Sequence, residues 1–183
     1  MIRYLSIIIF FLFIDNSNAN NKKNIITNLK DTKNINFDFE QNINGKIEKG
    51  NCIIEYPKKI FCEYYGKKDK ILVSNGNSLV IKTISSYYLY PLEKTPLNLI
   101  LDKNYLINKI YNLEERIIDN SFINYKINEN GSEINIFFDN DSFNLIGWQT
   151  KDIYQNLNIT FLSSVKKNEP INKNIFKLPS SQN

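Results

Sequence analysis

The sequence has 183 residues, with 23 Lys and Arg against 19 Asp and Glu, and it contains no His. The net charge of +4 is spread along the chain without clusters that interleave Lys or Arg with aromatics, which excludes a nucleic-acid surface. Without His, a Cys-x-x-Cys pair, a carboxylate cluster at ligand spacing, a Gly-rich phosphate loop or a Gly-x-Ser-x-Gly elbow, it reads as a non-enzyme needing no cofactor or metal.

Arg3 precedes a ten-residue apolar run, Leu5 to Ile14, broken only by Ser6. Ser17 and Ala19 then place small residues where a signal peptidase reads, so residues 1–19 are expected to be a signal peptide cut before Asn20. The run is shorter than the ~20 residues a membrane span needs. The 164 residues that follow keep the charge of +4, because the segment removes one charge of each sign, Arg3 and Asp15. They suit one domain, residues 20–183, able to bury a core. The mature start, Asn20-Asn21-Lys22, has no Cys to carry a lipid anchor, so the expectation is a soluble protein outside the cytoplasm.

Residues 20–33 are polar apart from Ile25, Ile26 and Leu29, whose i, i+1, i+4 spacing predicts a short amphipathic helix. The period then changes to two: Ile35, Phe37 and Phe39 alternate with Asn36, Asp38 and Glu40 in a half-buried strand. Further strands are predicted at 46–56, 60–65, 70–74, 78–82, 87–90, 117–119, 123–128, 133–139, 144–151 and 157–162, with turns at Asn75-Gly76 and Asn130-Gly131. Short strands with turns every 8–12 residues indicate an all-β sandwich or barrel. One segment breaks the rhythm. Thr95 reads as an N-cap, Pro96 as the first helical residue, and Leu97, Ile100 and Leu101 share a face. Residues 105–111 read as a continuation of one or two helical turns. The tail carries a turn at Glu169-Pro170 and a last apolar pair, Ile175-Phe176.

Cys52 and Cys62 flank a hairpin centred on Pro57 that sets them opposite each other. In an oxidising compartment they pair as a disulfide, or they remain two buried thiols; a one-residue change of register separates them. If Glu55 and Glu63 face water, parity sends Cys52, Ile54, Tyr56, Ile60, Cys62 and Tyr64 to the other face. Ile35, Phe37 and Phe39 match that face, and Ile71, Val73, Leu79 and Ile81 continue it. The result is a curved sheet with an apolar concave face that short helices can close over, enclosing either an ordinary core or a pocket.

From Gly45 to Leu101 the chain resembles a known family. The pattern is a strand ending in Pro (Gly50 to Pro57), a basic and aromatic strand (Lys59 to Tyr64), a turn (Leu72 to Gly76) and a Thr-Pro-Leu helix start (Thr95 to Leu101). Leu145-Ile146-Gly147-Trp148-Gln149-Thr150-Lys151-Asp152 and Ile175-Phe176-Lys177-Leu178-Pro179 continue it in order. These segments resemble LolA, the periplasmic outer-membrane lipoprotein carriers of Gram-negative bacteria. The resemblance implies a mainly β fold, an unclosed antiparallel half-barrel with a lid of short helices over an apolar cavity. It implies that acyl chains are buried there while acylated lipoproteins pass from an inner-membrane ABC exporter to the outer membrane, by a monomeric carrier with or without an outer-membrane acceptor. An alternative is a periplasmic lipid- or protein-sensing binding module on the same fold, without shuttling. The cavity lining expected on this basis is Phe37, Phe39, Ile54, Tyr56 and Tyr64, with Val73, Ile81, Leu97, Ile100 and Leu101. Pro57 and Ile60 fall where the family docks on the exporter. The family has Arg before the Pro of its first motif, bonding the lid closed; here that position is Tyr56, with Lys58 or Lys59 as the nearby substitutes.

Overall fold

The structure, a computed structural model, describes residues 17–66, 70–129, 131–151 and 155–181. The apolar run of the expected signal peptide, Leu5 to Ile14, lies outside the described residues, as do Asn130 and Asp152. Helix α1 (Ser17–Asp31) comes first, beginning ahead of the expected cut before Asn20. Six strands follow: β1 (Asn34–Ile43), β2 (Lys46–Glu55), β3 (Lys59–Tyr64), β4 (Ile71–Asn75), β5 (Ser78–Lys82) and β6 (Tyr87–Pro91). A 3-10 turn (Leu92–Lys94), α2 (Leu97–Ile100) and α3 (Lys103–Asn112) interrupt them. The chain resumes with β7 (Arg116–Ile118), β8 (Phe122–Glu129), β9 (Ser132–Asp139), β10 (Leu145–Lys151) and β11 (Leu157–Lys167), and closes on a 3-10 turn, Lys173–Phe176.

The eleven strands among the described residues form one antiparallel sheet in the order β6-β5-β4-β3-β2-β1-β11-β10-β9-β8-β7. Every neighbour is a hairpin partner except β1 and β11, which join the two halves. β6 and β7 end the order and do not pair, so the sheet curls without closing into a barrel. The fold is mainly β, as the alternating pattern predicts. At the β4–β5 turn Gly76 takes φ +105°, and the Asn75 side-chain oxygen accepts from the backbone N–H groups of Asn77 and Ser78, both at 3.0 Å.

Strand registers stack the concave face into rows. Ile35, Ile54, Ile60, Ser74 and Leu79 form one row, and Phe37, Cys52, Cys62, Leu72 and Ile81 the next. Phe39 lies over Gly50, where an added Cβ would come within 2.6 Å of its ring and 2.0 Å of the Glu63 carbonyl oxygen. The helices cover this face: Ile25, Ile26 and Leu29 of α1, Ile100 of α2, and Leu106, Ile107 and Ile110 of α3 join one buried cluster with these rows.

Two sequence expectations change here. Val73 is buried, but it pairs with Val80, one residue out of step with the Leu72–Ile81 pair, so both valines, and Ile71 with them, face the convex side. There the 3-10 turn of the tail packs on β3 and β4, with Phe176 buried. A strand covered on both faces loses its alternation, which is why Ile71-Leu72-Val73 gives no parity signal. Thr95 does not cap α2; its hydroxyl donates to the Leu92 carbonyl at 2.8 Å, and Pro96 occupies the N-cap position.

Candidate functional site

Beneath α2 the concave face is not filled. A cavity of about 250 Å³ lies between the sheet and the segment Thr95 to Ile100. Its apolar wall comes from Phe39, Cys52, Ile60, Cys62, Tyr64, Leu72, Leu79, Ile81 and Trp148, and its roof from Pro96, Leu97 and Ile100. The volume matches roughly eight waters at ~30 Å³ each, room for part of one extended fatty chain.

Of the lining expected from the sequence, Phe39, Tyr64, Ile81, Leu97 and Ile100 border the cavity. Five residues do not. Phe37, Ile54 and Leu101 are buried to 1% exposure or less and fill the packed core; Phe37 meets Trp148 edge-on at 6.3 Å. Val73 faces the convex side. Tyr56 borders a separate crevice beside Leu29, Thr32 and Ile35 of the α1–β1 corner. Ile60 needs a correction of role. At 2% exposure it lies in the cavity wall, on the same face as Cys62, and no part of it is offered to a docking partner. Pro57 is exposed at the β2–β3 turn.

Cys52 and Cys62 stand directly opposite each other, Cα atoms 4.1 Å apart, joined by a disulfide in the cavity wall. Trp148, Gln41, Thr150, Asn158 and Thr160 also line the cavity without appearing in the sequence-based set. The inner face of β11 carries Asn158 and Thr160, so hydrophobic period does not mark these positions as cavity lining.

The polar rim carries one buried charge pair. Lys70 bonds Glu48, and its ammonium lies 3.9 Å from the centre of the Tyr64 ring. Burial first and repulsion from Lys46 second lower the Lys70 ammonium to about 8. Burial alone pushes the Tyr64 hydroxyl up to about 12. Among the described residues no group of three or more His, Cys, Asp or Glu could hold a metal ion.

The lid pieces are fastened unequally. α3 is tied to α1 and the residue that follows it, where Lys103 donates to the carbonyls of Lys30 at 3.1 Å and Thr32 at 2.8 Å, and to β8, where Tyr105 and Lys109 both donate to Glu129 at 3.0 and 2.7 Å. Lys22 of α1 reaches the Leu113 carbonyl at 2.8 Å. The α2 segment is held at its end by Lys58 of the β2–β3 turn. The Lys58 backbone N–H donates to the Leu101 carbonyl at 2.9 Å, and its ammonium pairs with Asp102 at 3.5 Å. Lys59 instead pairs with Glu55 at 3.0 Å, and Tyr56 lies 5.8 Å from the Lys103 ammonium.

An unclosed antiparallel sheet, curled under short helices around an apolar cavity, defines a container-type fold. The outer membrane lipoprotein carrier protein LolA family model matches residues 30–179, and the chain belongs to that family. No curated protein matches the chain at the level taken as significant. Solved structures are similar at low identity. An uncharacterized conserved protein from Thermus thermophilus has a TM-score of 0.51 at 6% identity, over 89% of this chain and 95% of that one. A LolA superfamily protein from Nitrosomonas europaea has a TM-score of 0.45 at 6% identity, over 88% and 97%. The Mycobacterium tuberculosis lipoprotein LppX has a TM-score of 0.45 at 14% identity, over 86% and 98%. Among the described residues no helix is long and apolar enough to cross a membrane.

Proposed function

We propose that this chain is a periplasmic carrier that takes acylated lipoproteins from an inner-membrane ABC exporter, buries acyl chain in the cavity beneath α2, and releases the cargo at the outer membrane. The observation that carries this reading is the cavity itself: apolar side chains of both sheet and lid face an unfilled space. Each methylene moved from water into such a space gains roughly 0.8 kcal/mol, so a free acylated protein does not cross water unaided.

A carrier must also let go. A space with room for part of one chain must enlarge for a lipoprotein's several chains, and α2 is the roof piece with the lightest fastening. Lys58 takes the lid-holding role that Arg has in the family's first motif, from two positions further along the turn. Pro57, exposed beside it, is the residue proposed for docking on the exporter. No group in the cavity needs to react, so the cycle is binding and release. Export through a signal peptide cut before Asn20 places this cycle in the periplasm, with the mature chain a mobile monomer.

The test is co-expression with a tagged outer-membrane lipoprotein. A one-to-one complex free of membrane is expected with the acylated cargo and none with a cargo whose acylated Cys is replaced. Equal behaviour of the two forms refutes the proposal. Lipoproteins should collect in the inner membrane when the chain is depleted; unchanged sorting would favour a binding module that does not shuttle.

A further inference from the structure

The cavity wall is zoned. Below the Phe39 level, the row Gln41, Thr160 and Trp148 runs across β1, β11 and β10, with Glu48 of β2 beside Gln41 but outside the lining, and the next row down places Asn158 beside Ile43 and Thr150. Glu48, Thr150 and Thr160 are buried polar side chains, and Gln41 donates to the Thr160 hydroxyl at 3.2 Å. Asn158 lines the same cavity, and its side-chain oxygen is buried with no hydrogen-bond partner. A buried acceptor left unmet is costly and is uncommon in native proteins. An apolar core alone gives no reason for it, whereas a ligand donor does.

We infer that this polar end of the cavity holds the amide that joins a fatty acyl chain to an amino group. The inference rests on the carrier reading and names the head of the ligand within the same cavity. An amide presents an N–H and a C=O on adjacent atoms. Asn158 accepts the N–H, and the hydroxyl of Thr150, directly opposite it, donates to the C=O. The acyl chain then runs from this row toward Leu72, Ile81 and Leu97. An ester offers acceptors only, and leaves the Asn158 oxygen unmet. The site thus selects an N-acylated amino terminus over an O-acyl lipid of equal chain length.

The experiment measures binding of three probes of one chain length to the full mature chain: N-methyldodecanamide, N,N-dimethyldodecanamide and methyl dodecanoate. The first should bind about tenfold more tightly than the other two, the cost of one unmet buried acceptor. Asn158→Leu should bring all three to similar affinity while retaining binding. If the three bind wild type equally well, the amide assignment falls and the acyl cavity stands. A preference that survives in Asn158→Leu overturns the role of Asn158. If none binds, the cavity reading falls as well. Should Asn158→Leu fail to fold, Asn158→Asp, which keeps an acceptor, is expected to retain the preference, and its loss there overturns the proposal.

Discussion

Under the proposed carrier reading, Lys58 is a side chain of little weight in stability that controls the lid. Its ion pair with Asp102 joins groups that are 35% and 28% exposed, and such pairs contribute less than about 1 kcal/mol. Lys58→Met should therefore leave the unfolding midpoint nearly unchanged, while association of a fluorescent fatty-acid probe speeds up by as much as about fivefold, the rate equivalent of that energy. Asp102 is a poorer site for the test, because its carboxylate also accepts from the Tyr105 N–H at 3.0 Å as the N-cap of α3. Tyr64 supplies a pH signature. Its folded pKa of about 12 lies above the ordinary 10.0, so the stability it contributes is whole below pH 10 and lost as pH rises through 12. Burial shifts Tyr56, Tyr105 and Tyr125 upward too. The contribution of these four tyrosines to the melting temperature should hold to about pH 10 and then fall, and their share of the tyrosinate absorbance at 295 nm should be delayed beyond pH 10 until the chain unfolds. At this scale parity read the central hairpin well, because Cys52, Ile60, Cys62 and Tyr64 do share the cavity face. The same parity argument shows why Ile60 cannot also be a docking residue: one side chain points to one face.

The elements separate into those whose neighbours are local and those made by distant partners. Hairpins with an Asn-Gly or Pro turn were legible, whereas the sequence predicts only one or two turns continuing α2 over 105–111, and α3 is a separate ten-residue helix with its own N-cap, Asp102. β11 was only half legible. Its second half, through Ser163, Ser164, Lys166 and Lys167, has no apolar rhythm and exists because β1 offers a ladder to pair with. The Ala-free four-residue α2 gains little from propensity and is held by its contacts with the turn and the core. The tail is the element least visible from composition. Phe176 is 3% exposed on the convex side, Lys173 pairs with Glu55 at 3.6 Å, and the Tyr87 hydroxyl donates to the Pro179 carbonyl at 3.2 Å. Phe176→Ala should lower the unfolding free energy by about 3–5 kcal/mol in a denaturant titration. Because Phe176 lies across the sheet from the cavity, acyl-probe affinity of the folded variant should stay close to wild type.

For the molecule as a whole, the disulfide and the open sheet matter most. Cys52 and Cys62 are ten positions apart, a loop for which cross-linking contributes about 2–3 kcal/mol. Reduction, or Cys52→Ala with Cys62→Ala, should shift the denaturant midpoint by that amount without removing the sheet, whose β2–β3 register is also fixed by the flanking turn and five other residue pairs. The order of the strands was not legible as a whole, since hairpins announce themselves locally but the β1–β11 ladder joins residues more than a hundred positions apart. That ladder is also what leaves β6 and β7 as the two free ends of the sheet. A closed barrel has its bore set by strand number and shear. An arc has no such constraint: its ends can spread or approach with small changes of twist at every strand. If the chain carries acyl groups as proposed, its capacity is an elastic property, set by the curvature of the arc rather than fixed once when the chain folds.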